Sequence, residues 1–361
     1  MKVLYYNCVY RPGHFYYDTK LITYLAASTD ELIVLQPSKW FEEKYDNVTF
    51  INKAVSQKKK PGLRRISTWT RSFLNSVLAI REIKKQKPDA VVVGEYELST
   101  FWLTIKKLTS ICKTVVIVHH NNIDQISKNE RKKRLFYTYK DKVVHCTLEP
   151  FISDFVCDQF EIDRKRVVCW PHPSESLNPS EALSVPQNKK TYDLIGLSQS
   201  NDEQLIDHLI KLEKAELPFQ KSGLRVLLKS KVQTFDNGSL TVIKGWIDTD
   251  TYKKYYQNAK CVLVAFPQSY QYRVSATLIE AIRDKIPIIG ADIQLIKYYN
   301  SIFPNICSIY RESSFVDDVL HSLVRSKEQE NEFSKFIETH SDEYIAGIIK
   351  HDLLQLMNNT I

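Results

Sequence analysis

Short apolar runs alternate along this chain with longer stretches whose apolar residues recur at helical spacing. Such alternation predicts βα units feeding parallel sheets. In the first half the runs are Val3 to Tyr6, Leu32 to Leu35, Val48 to Ile51, Ala90 to Val93, Thr114 to Val118, Val143 to Cys146 and Val167 to Trp170. Pro171, Pro173 and the polar stretch SESLNPSEALSVPQNKK, ending at Lys190, interrupt the pattern as an interdomain linker does. It then restarts with Tyr192 to Leu197, Leu224 to Leu228, Leu240 to Ile243, Cys261 to Phe266, Ile286 to Gly290 and Ile306 to Ile309. The expected architecture is α/β, with two doubly wound domains at 1–173 and 191–340, a linker at 174–190 and a helical segment at 341–361. Ligands of such sheets bind beyond the carboxyl ends of the strands, so the expected site is a cleft faced by both domains.

A length of 361 residues agrees with two domains, and 43% hydrophobic residues are enough for two cores. No apolar run approaches the roughly 18 residues of a membrane-spanning helix. The opening MKVLYYNCVY enters a β run with no small-residue cleavage site, so the expectation is a protein without a secretory signal, cytoplasmic or peripheral on the inner face of the cell membrane. Seven scattered cysteines without a CxxC pair speak against a disulfide framework and against a zinc site. There is no GxGxxG after the first run and no GxxxxGK[ST] anywhere, which lowers dinucleotide oxidoreductase and P-loop readings.

The most informative segment is CVLVAFPQSYQYRVSATLIEAIRDKIPIIGAD, Cys261 to Asp292. It reads as strand, loop, helix start and strand. Ser275 has the chemistry of an N-cap, which leaves the amides of Ala276, Thr277 and Leu278 to favour an anion such as phosphate. Glu280 lies about one turn further in among apolar neighbours, where a carboxylate needs a hydrogen-bond partner. A ribose diol is one such partner. The plainer alternative is an ordinary βαβ unit with a capping serine and a glutamate that reaches water.

Taken whole, the segment resembles the nucleotide-sugar half-site of glycosyltransferases of the GT-B fold, which have two Rossmann-like domains, and in particular the bacterial polysaccharide enzymes of family 4. Glu280, Ala281, Pro287 and the IIGAD ending match that pattern, in which a first glutamate precedes a second by seven variable residues. Tyr272 stands in the first glutamate's place and Arg273 in that of the following glycine, so the motif is divergent. The resemblance extends to LTVIKGWIDTD at Leu240 to Asp250, where it implies that Gly245 admits a nucleobase and Trp246 or Ile247 lies against its ring. Lys229, at the end of its strand, is placed to reach a diphosphate, although a surface lysine is the commoner fate. Where the family carries an arginine and a lysine after the first strand of this domain, the chain has Ser198, Gln199, Ser200 and Asn201. Arg273, with a planar fork suited to phosphate, is the expected source of positive charge.

In the first domain the resemblance implies three strand-end loops facing the donor. Arg11, Pro12, Gly13 and His14 match a glycine-containing loop that contacts donor phosphate or acceptor. Gly94 and Glu95 follow one strand, and His119, His120, Asn121 and Asn122 follow another, where a histidine near the transferred sugar is common. His119, His120 and Glu95 are therefore the expected acceptor-orienting groups, with one of the two histidines in a site role. His172, between two prolines, reads as a hinge residue.

Charge is unevenly distributed. Residues 1–175 hold 29 Lys+Arg against 19 Asp+Glu, and the remainder of the totals of 50 and 42 leaves 21 against 23, so the first part carries +10 of the net +8 and the second −2. Lys53 to Arg71 contains seven basic residues and no acid, and Ile66, Trp69, Phe73 and Val77 recur there at helical spacing. A second basic cluster, Arg131 to Arg134, precedes Leu135, Phe136 and Tyr137. Docking on an anionic membrane surface is the expectation, against the alternative of an inward apolar stripe with a solvated charged face. Nucleic acid ranks lower because no recognised RNA- or DNA-binding module is present.

The implied function is sugar transfer from a nucleotide-sugar donor to a glycan or lipid-linked acceptor in surface polysaccharide synthesis, with retention of configuration and with no metal and no cofactor. Fixed donors such as Arg273 and the amides of Ala276 and Thr277 would hold the departing diphosphate. A nucleotide-sugar epimerase of the same fold and a noncatalytic GT-B-like scaffold are the alternatives. The C-terminal segment is expected to return to the first domain as a helix.

Overall fold

A computed structural model describes residues 1–55, 64–174, 189–324 and 327–358. The chain divides into two compact units, one of residues 1–173 and 340–361 and one of residues 174–339.

The first unit is built on strands β1 (Lys2–Tyr6), β2 (Glu31–Gln36), β3 (Val48–Asn52), β4 (Ala90–Val93), β5 (Thr114–Val118), β6 (Val144–Thr147) and β7 (Val167–Cys169). They form one parallel sheet in the order β3-β2-β1-β4-β5-β6-β7. Strand β4, AVVV, is buried along its whole length, as expected of a central parallel strand covered on both faces. The connecting helices are α1 (Phe15–Ser28), α2 (Arg64–Gln86), α3 (Leu98–Ile111), α4 (Asn122–Ser127), α5 (Glu130–Tyr137) and α6 (Pro150–Phe160).

The second unit repeats the plan with β8 (Tyr192–Gly196), β9 (Val226–Ser230), β10 (Phe235–Asp236), β11 (Leu240–Lys244), β12 (Ala259–Val264), β13 (Ile288–Gly290) and β14 (Ser308–Ile309), in the order β10-β11-β9-β8-β12-β13-β14. All pairings are parallel except the edge hairpin of β10 with β11. Its helices are α7 (Glu203–Glu216), α8 (Pro218–Lys221), α9 (Thr249–Gln257), α10 (Ala276–Arg283), α11 (Gln294–Ile302), α12 (Phe315–Ser322) and α13 (Lys327–Thr339). In both sheets the chain order reverses beside the first strand of the unit, which makes the carboxyl ends there natural ligand positions.

The chain then returns to the first unit through α14 (Asp342–Asn358). Asp342 accepts from the Tyr24 hydroxyl at 2.6 Å and pairs with Lys20, while Asp352 accepts from Trp170 Nε1 at 3.0 Å. Ile345, Ile349 and Leu353, one turn apart, bury the apolar face that these polar contacts flank. Fourteen residues of the expected linker, 175–188, lie outside the described residues, as do 56–63 of the basic segment. Among the described residues no helix is long and apolar enough to cross a membrane.

Candidate functional site

In the second unit the predicted donor residues lie at, or follow, the carboxyl ends of β9, β11 and β12. Ser275 caps α10: its backbone is extended, and its Oγ accepts from Leu278 N at 3.2 Å. Glu280 is half-buried, and burial raises its pKa against the lowering influence of its partners Tyr252 and Arg283. The Tyr252 hydroxyl donates to Glu280 Oε2 at 2.7 Å, and Arg283 Nη2 lies 3.6 Å from Oε1. The partner that the sequence demanded for this carboxylate is thus present within the protein. A ribose diol would have to share Glu280 with Tyr252. Tyr252 did not figure in the sequence reading because its contact joins α9 to α10 across 28 residues, and Arg283, three residues beyond Glu280 on the same helix, was passed over.

Gly245 follows β11 with φ +98, a left-handed conformation that disfavours any side chain. Trp246 follows it with 73% of its surface exposed, and the Lys229 ammonium lies 5.5 Å from its ring centroid. This corrects the alternative of a surface lysine. Lys229 is buried at the end of β9, next to β11, and desolvation, followed by repulsion from Lys231, lowers its pKa. A tryptophan so open costs hydrophobic free energy and supplies a flat face for a ring. Arg273 stacks over Tyr270 at 4.3 Å from the ring centroid, and Tyr272 beside it is half-buried. Of the amides expected to bind phosphate, Ala276 is exposed and Thr277 half-buried at the first turn of α10. Asn201, which stands where positive charge was missed, donates to the carbonyls of Gly196 at 2.7 Å and Lys229 at 3.0 Å. It ties β8 to β9 and leaves its own Oδ1 buried and without a hydrogen-bond partner.

In the first unit the centre is an interacting group at the carboxyl ends of β1, β4 and β5. Glu95 is 2% exposed. Arg11 Nε lies 3.1 Å from its Oε1, and His14 Nδ1 lies 3.4 Å from its Oε2. The loop that carries Glu95 comes so close to β1 that a Cβ on Gly94 would stand 2.1 Å from the Tyr5 hydroxyl, so glycine is required there. Gly13, by contrast, is exposed and has open space around it. Burial lowers the His14 pKa, yet the Glu95 carboxylate, with a smaller push from Asp18, more than reverses this and leaves it raised. His120 stacks on the His14 ring at 4.2 Å, and its Nε2 lies 3.0 Å from the Gly94 carbonyl, which fixes the proton on that nitrogen. Burial, then the neighbouring His14 charge, holds the His120 pKa well below the ordinary range.

His119 is placed otherwise. It is 1% exposed, its Nδ1 is 3.0 Å from the Tyr96 hydroxyl and its Nε2 is 2.9 Å from His145 Nδ1. His145 Nε2 in turn donates to the Lys140 carbonyl at 2.8 Å. Both ring nitrogens of His119 are therefore engaged in the core. Successive side chains at a strand end point to opposite sides, and the protein uses one for packing. His172 is buried between Tyr16 and Tyr17, with ring centroids at 5.6 and 5.5 Å. Asp18, which the sequence reading passed over, is fully buried and accepts from Asn7 Nδ2 at 2.7 Å. Burial and then the Glu95 charge push it up to about 7. Among the described residues no group of three or more His, Cys, Asp or Glu has the placement to hold a metal ion.

No protein-family model matches the chain, and no curated protein matches it. Solved structures do. An E. coli structure described as trehalose-6-phosphate bound with UDP-2-fluoro glucose superposes with a TM-score of 0.64 at 11% identity, covering 99% of each chain. The lipopolysaccharide outer core galactosyltransferase WaaB gives 0.60 at 12% identity over 98% of this chain and 99% of its own. The fold is GT-B. Arabidopsis thaliana UGT89C1 complexed with quercetin (0.59, 11%, 98% and 99%) and the UDP-N-acetylglucosamine 2-epimerase of Rickettsia bellii (0.58, 11%, 99% and 97%) share it. At these identities the likeness speaks for architecture alone.

Proposed function

We propose that this GT-B chain is a glycosyltransferase that moves a sugar from a nucleoside-diphosphate donor to a glycan or lipid-linked glycan acceptor, as in surface polysaccharide synthesis. The observation that carries the reading is the group at the strand ends of the second unit: an open Trp246 over Lys229, Arg273 before the capped start of α10, and Glu280 held by Tyr252. These supply in turn a face for a base, cations and amides for a diphosphate, and a carboxylate for a diol. The first unit supplies proton transfer. The acceptor O–H gives its proton to His14 Nε2, since Nδ1 faces Glu95, while the oxygen attacks the anomeric carbon. The bond from that carbon to the diphosphate oxygen breaks, and its electron pair leaves on the phosphate. Glu95 positions His14 and does not touch the acceptor.

Kinship with family 4 and its paired-glutamate motif would imply retention. The His14–Glu95 pair favours direct displacement with inversion instead, because a base beside the acceptor has no task on a route in which the leaving phosphate itself takes the proton. NMR of the product anomer decides between them. No step here draws on a metal or a cofactor.

An anionic membrane surface is part of the same proposal. On α2, Trp69, Phe73 and Leu74 are exposed beside a buried face made of Ser72, Asn75, Ser76, Ala79 and Ile83. Trp102 and Leu103 on the neighbouring α3 are exposed too, and so are Arg131 and Arg134 on α5. Apolar side chains that face water beside cations suit a lipid interface, where each cation adds about 1 kcal/mol. That face would hold the enzyme peripherally at the inner membrane, in the cytoplasm.

Incorporation of radiolabelled sugar from a panel of nucleotide sugars into lipid and polymer fractions tests the reading. Transfer by the wild type and loss of about 10²- to 10⁴-fold in His14→Ala are expected. A sugar isomer formed without any acceptor would favour the epimerase alternative that the Rickettsia bellii fold keeps open. Binding without turnover would favour a noncatalytic scaffold.

A further inference from the structure

A hollow of about 540 Å³ opens in the first unit beside the His14–Glu95 pair, lined by Arg11, Trp69, Glu97, Ser99, Gln125 and Lys132 among others. Its volume suits one or two sugar rings. Arg11 connects the two places: its Nε faces Glu95 Oε1 at 3.1 Å, and its side chain forms part of the wall of the hollow. Only that one contact to an acid is made by the guanidinium among the described residues, so its terminal nitrogens keep their donors. Lys132 donates to the neutral Gln125 Oε1 and forms no ion pair among the described residues. Gln125 is steadied by its own bond to Asn121 Oδ1 at 3.1 Å. The one acid in the wall, Glu97, is partly engaged at the start of α3, where its Oε1 accepts from Ser99 N at 3.2 Å.

Arg11 shares its charge with Glu95, so Lys132, without an ion pair among the described residues, and the positive end of the fourteen-residue α3 supply the field that favours an anion. Trp69, 41% exposed, offers a flat apolar face to the less polar side of a pyranose. Glu97 and Ser99 remain to accept from and donate to hydroxyls. We infer that this hollow is the acceptor subsite and that it selects a pyranose bearing an anionic group, a phosphate or a carboxylate. The inference rests on the glycosyltransferase reading for the word acceptor, while the anionic-sugar site itself is independent of any turnover. Arg11 then has two tasks, orienting Glu95 and marking where the charged end of the acceptor lies.

The test is calorimetric titration of the full chain, with a saturating nucleoside diphosphate chosen from a panel so that any diphosphate position is filled, using glucose 1-phosphate, glucuronate and glucose as probes. The two anionic sugars should bind at least about 10-fold more tightly than glucose, with an advantage that shrinks as salt is raised. Whichever of the two binds better identifies the anion. Lys132→Gln should remove most of the preference, and Trp69→Ala should weaken all three sugars alike. Equal binding of charged and neutral sugars, an undiminished preference in Lys132→Gln, or no binding of the anionic sugars up to about 10 mM would each overturn the inference. A titration of a panel of nucleoside diphosphates into the wild type separates the two failures: if one of them binds and no anionic preference exists, the inference falls and the donor reading stands. If the preference exists and no nucleoside diphosphate binds, the donor reading falls alone.

Discussion

His14 and Asp18 sit within a single turn of each other, yet their surroundings push their protons in ways that can be read separately. His14 has a raised pKa because the Glu95 carboxylate outweighs burial, and as a base it must be neutral. The rate of transfer should therefore climb with pH through an inflection above the ordinary histidine value of about 6.5 and then level off. Glu95→Gln removes the carboxylate and should move that inflection down, a shift that a pH–rate profile or the His14 NMR titration would report. An unmoved inflection would contradict the coupling. Asp18, pushed up to about 7, binds its proton more tightly folded than unfolded. Its contribution to stability is present at low pH and is lost as pH rises from about 4, the ordinary aspartate range, toward that value. Asp18→Asn should flatten the stability profile across that window, an effect on the order of a few kcal/mol that denaturant titrations at several pH values would detect. At this scale the sequence told half of the story. It singled out Glu95, the His14 loop and the pair His119 and His120 as candidates. It had no means of showing that His119 closes a buried chain to Tyr96 and His145, since those partners lie 23 and 26 residues away.

Elements were more legible than contacts. Each apolar run read from the sequence coincides within a few residues with a strand, because buried parallel strands leave unbroken apolar stretches. The strand that escaped, β10, has two residues and pairs antiparallel at the edge, too short for any period to register. The cap of α10 was visible as Ser275 ahead of an apolar helical pattern, and the serine hydroxyl does accept from Leu278 N. Ser275→Ala should cost about 1 kcal/mol and lower the melting temperature by roughly 2–4 °C. Differential scanning calorimetry checks it, and an unchanged melting temperature would mean that the cap is made by other groups. On α2 the periodicity was legible while its direction was not. A stripe of Trp69, Phe73 and Val77 looks the same in a sequence whether it packs inward or outward. Trp69 and Phe73 are exposed and Val77 is half-buried, while the adjoining face of the helix buries Ser72, Asn75, Ser76, Ala79 and Ile83. Asn75 bonds the Cys8 carbonyl at 3.1 Å, and Ser76 lies 3.2 Å from the Cys8 sulfur.

Across the whole molecule, two parallel-sheet units follow from alternation of pattern and one proline-marked break, while the GT-B fold was implied by the resemblance of the Cys261 to Asp292 segment. The returning helix shows how the last residues complete the first unit. Ile349 is fully buried there, so Ile349→Ala should destabilise the first unit by about 2–5 kcal/mol while nucleoside diphosphate affinity, a property of the second unit, is unchanged. Chemical denaturation followed alongside nucleotide titration would separate the two. The central claim, that the strand ends of the second unit grip a nucleoside diphosphate, is tested most directly by titrating a panel of nucleoside diphosphates into the wild type, Trp246→Ala and Glu280→Ala. One nucleotide should bind the wild type and lose about 10-fold or more in affinity in each variant, a change of about 1.4 kcal/mol or larger. Absence of binding across the panel, or equal affinity in all three proteins, would contradict the account.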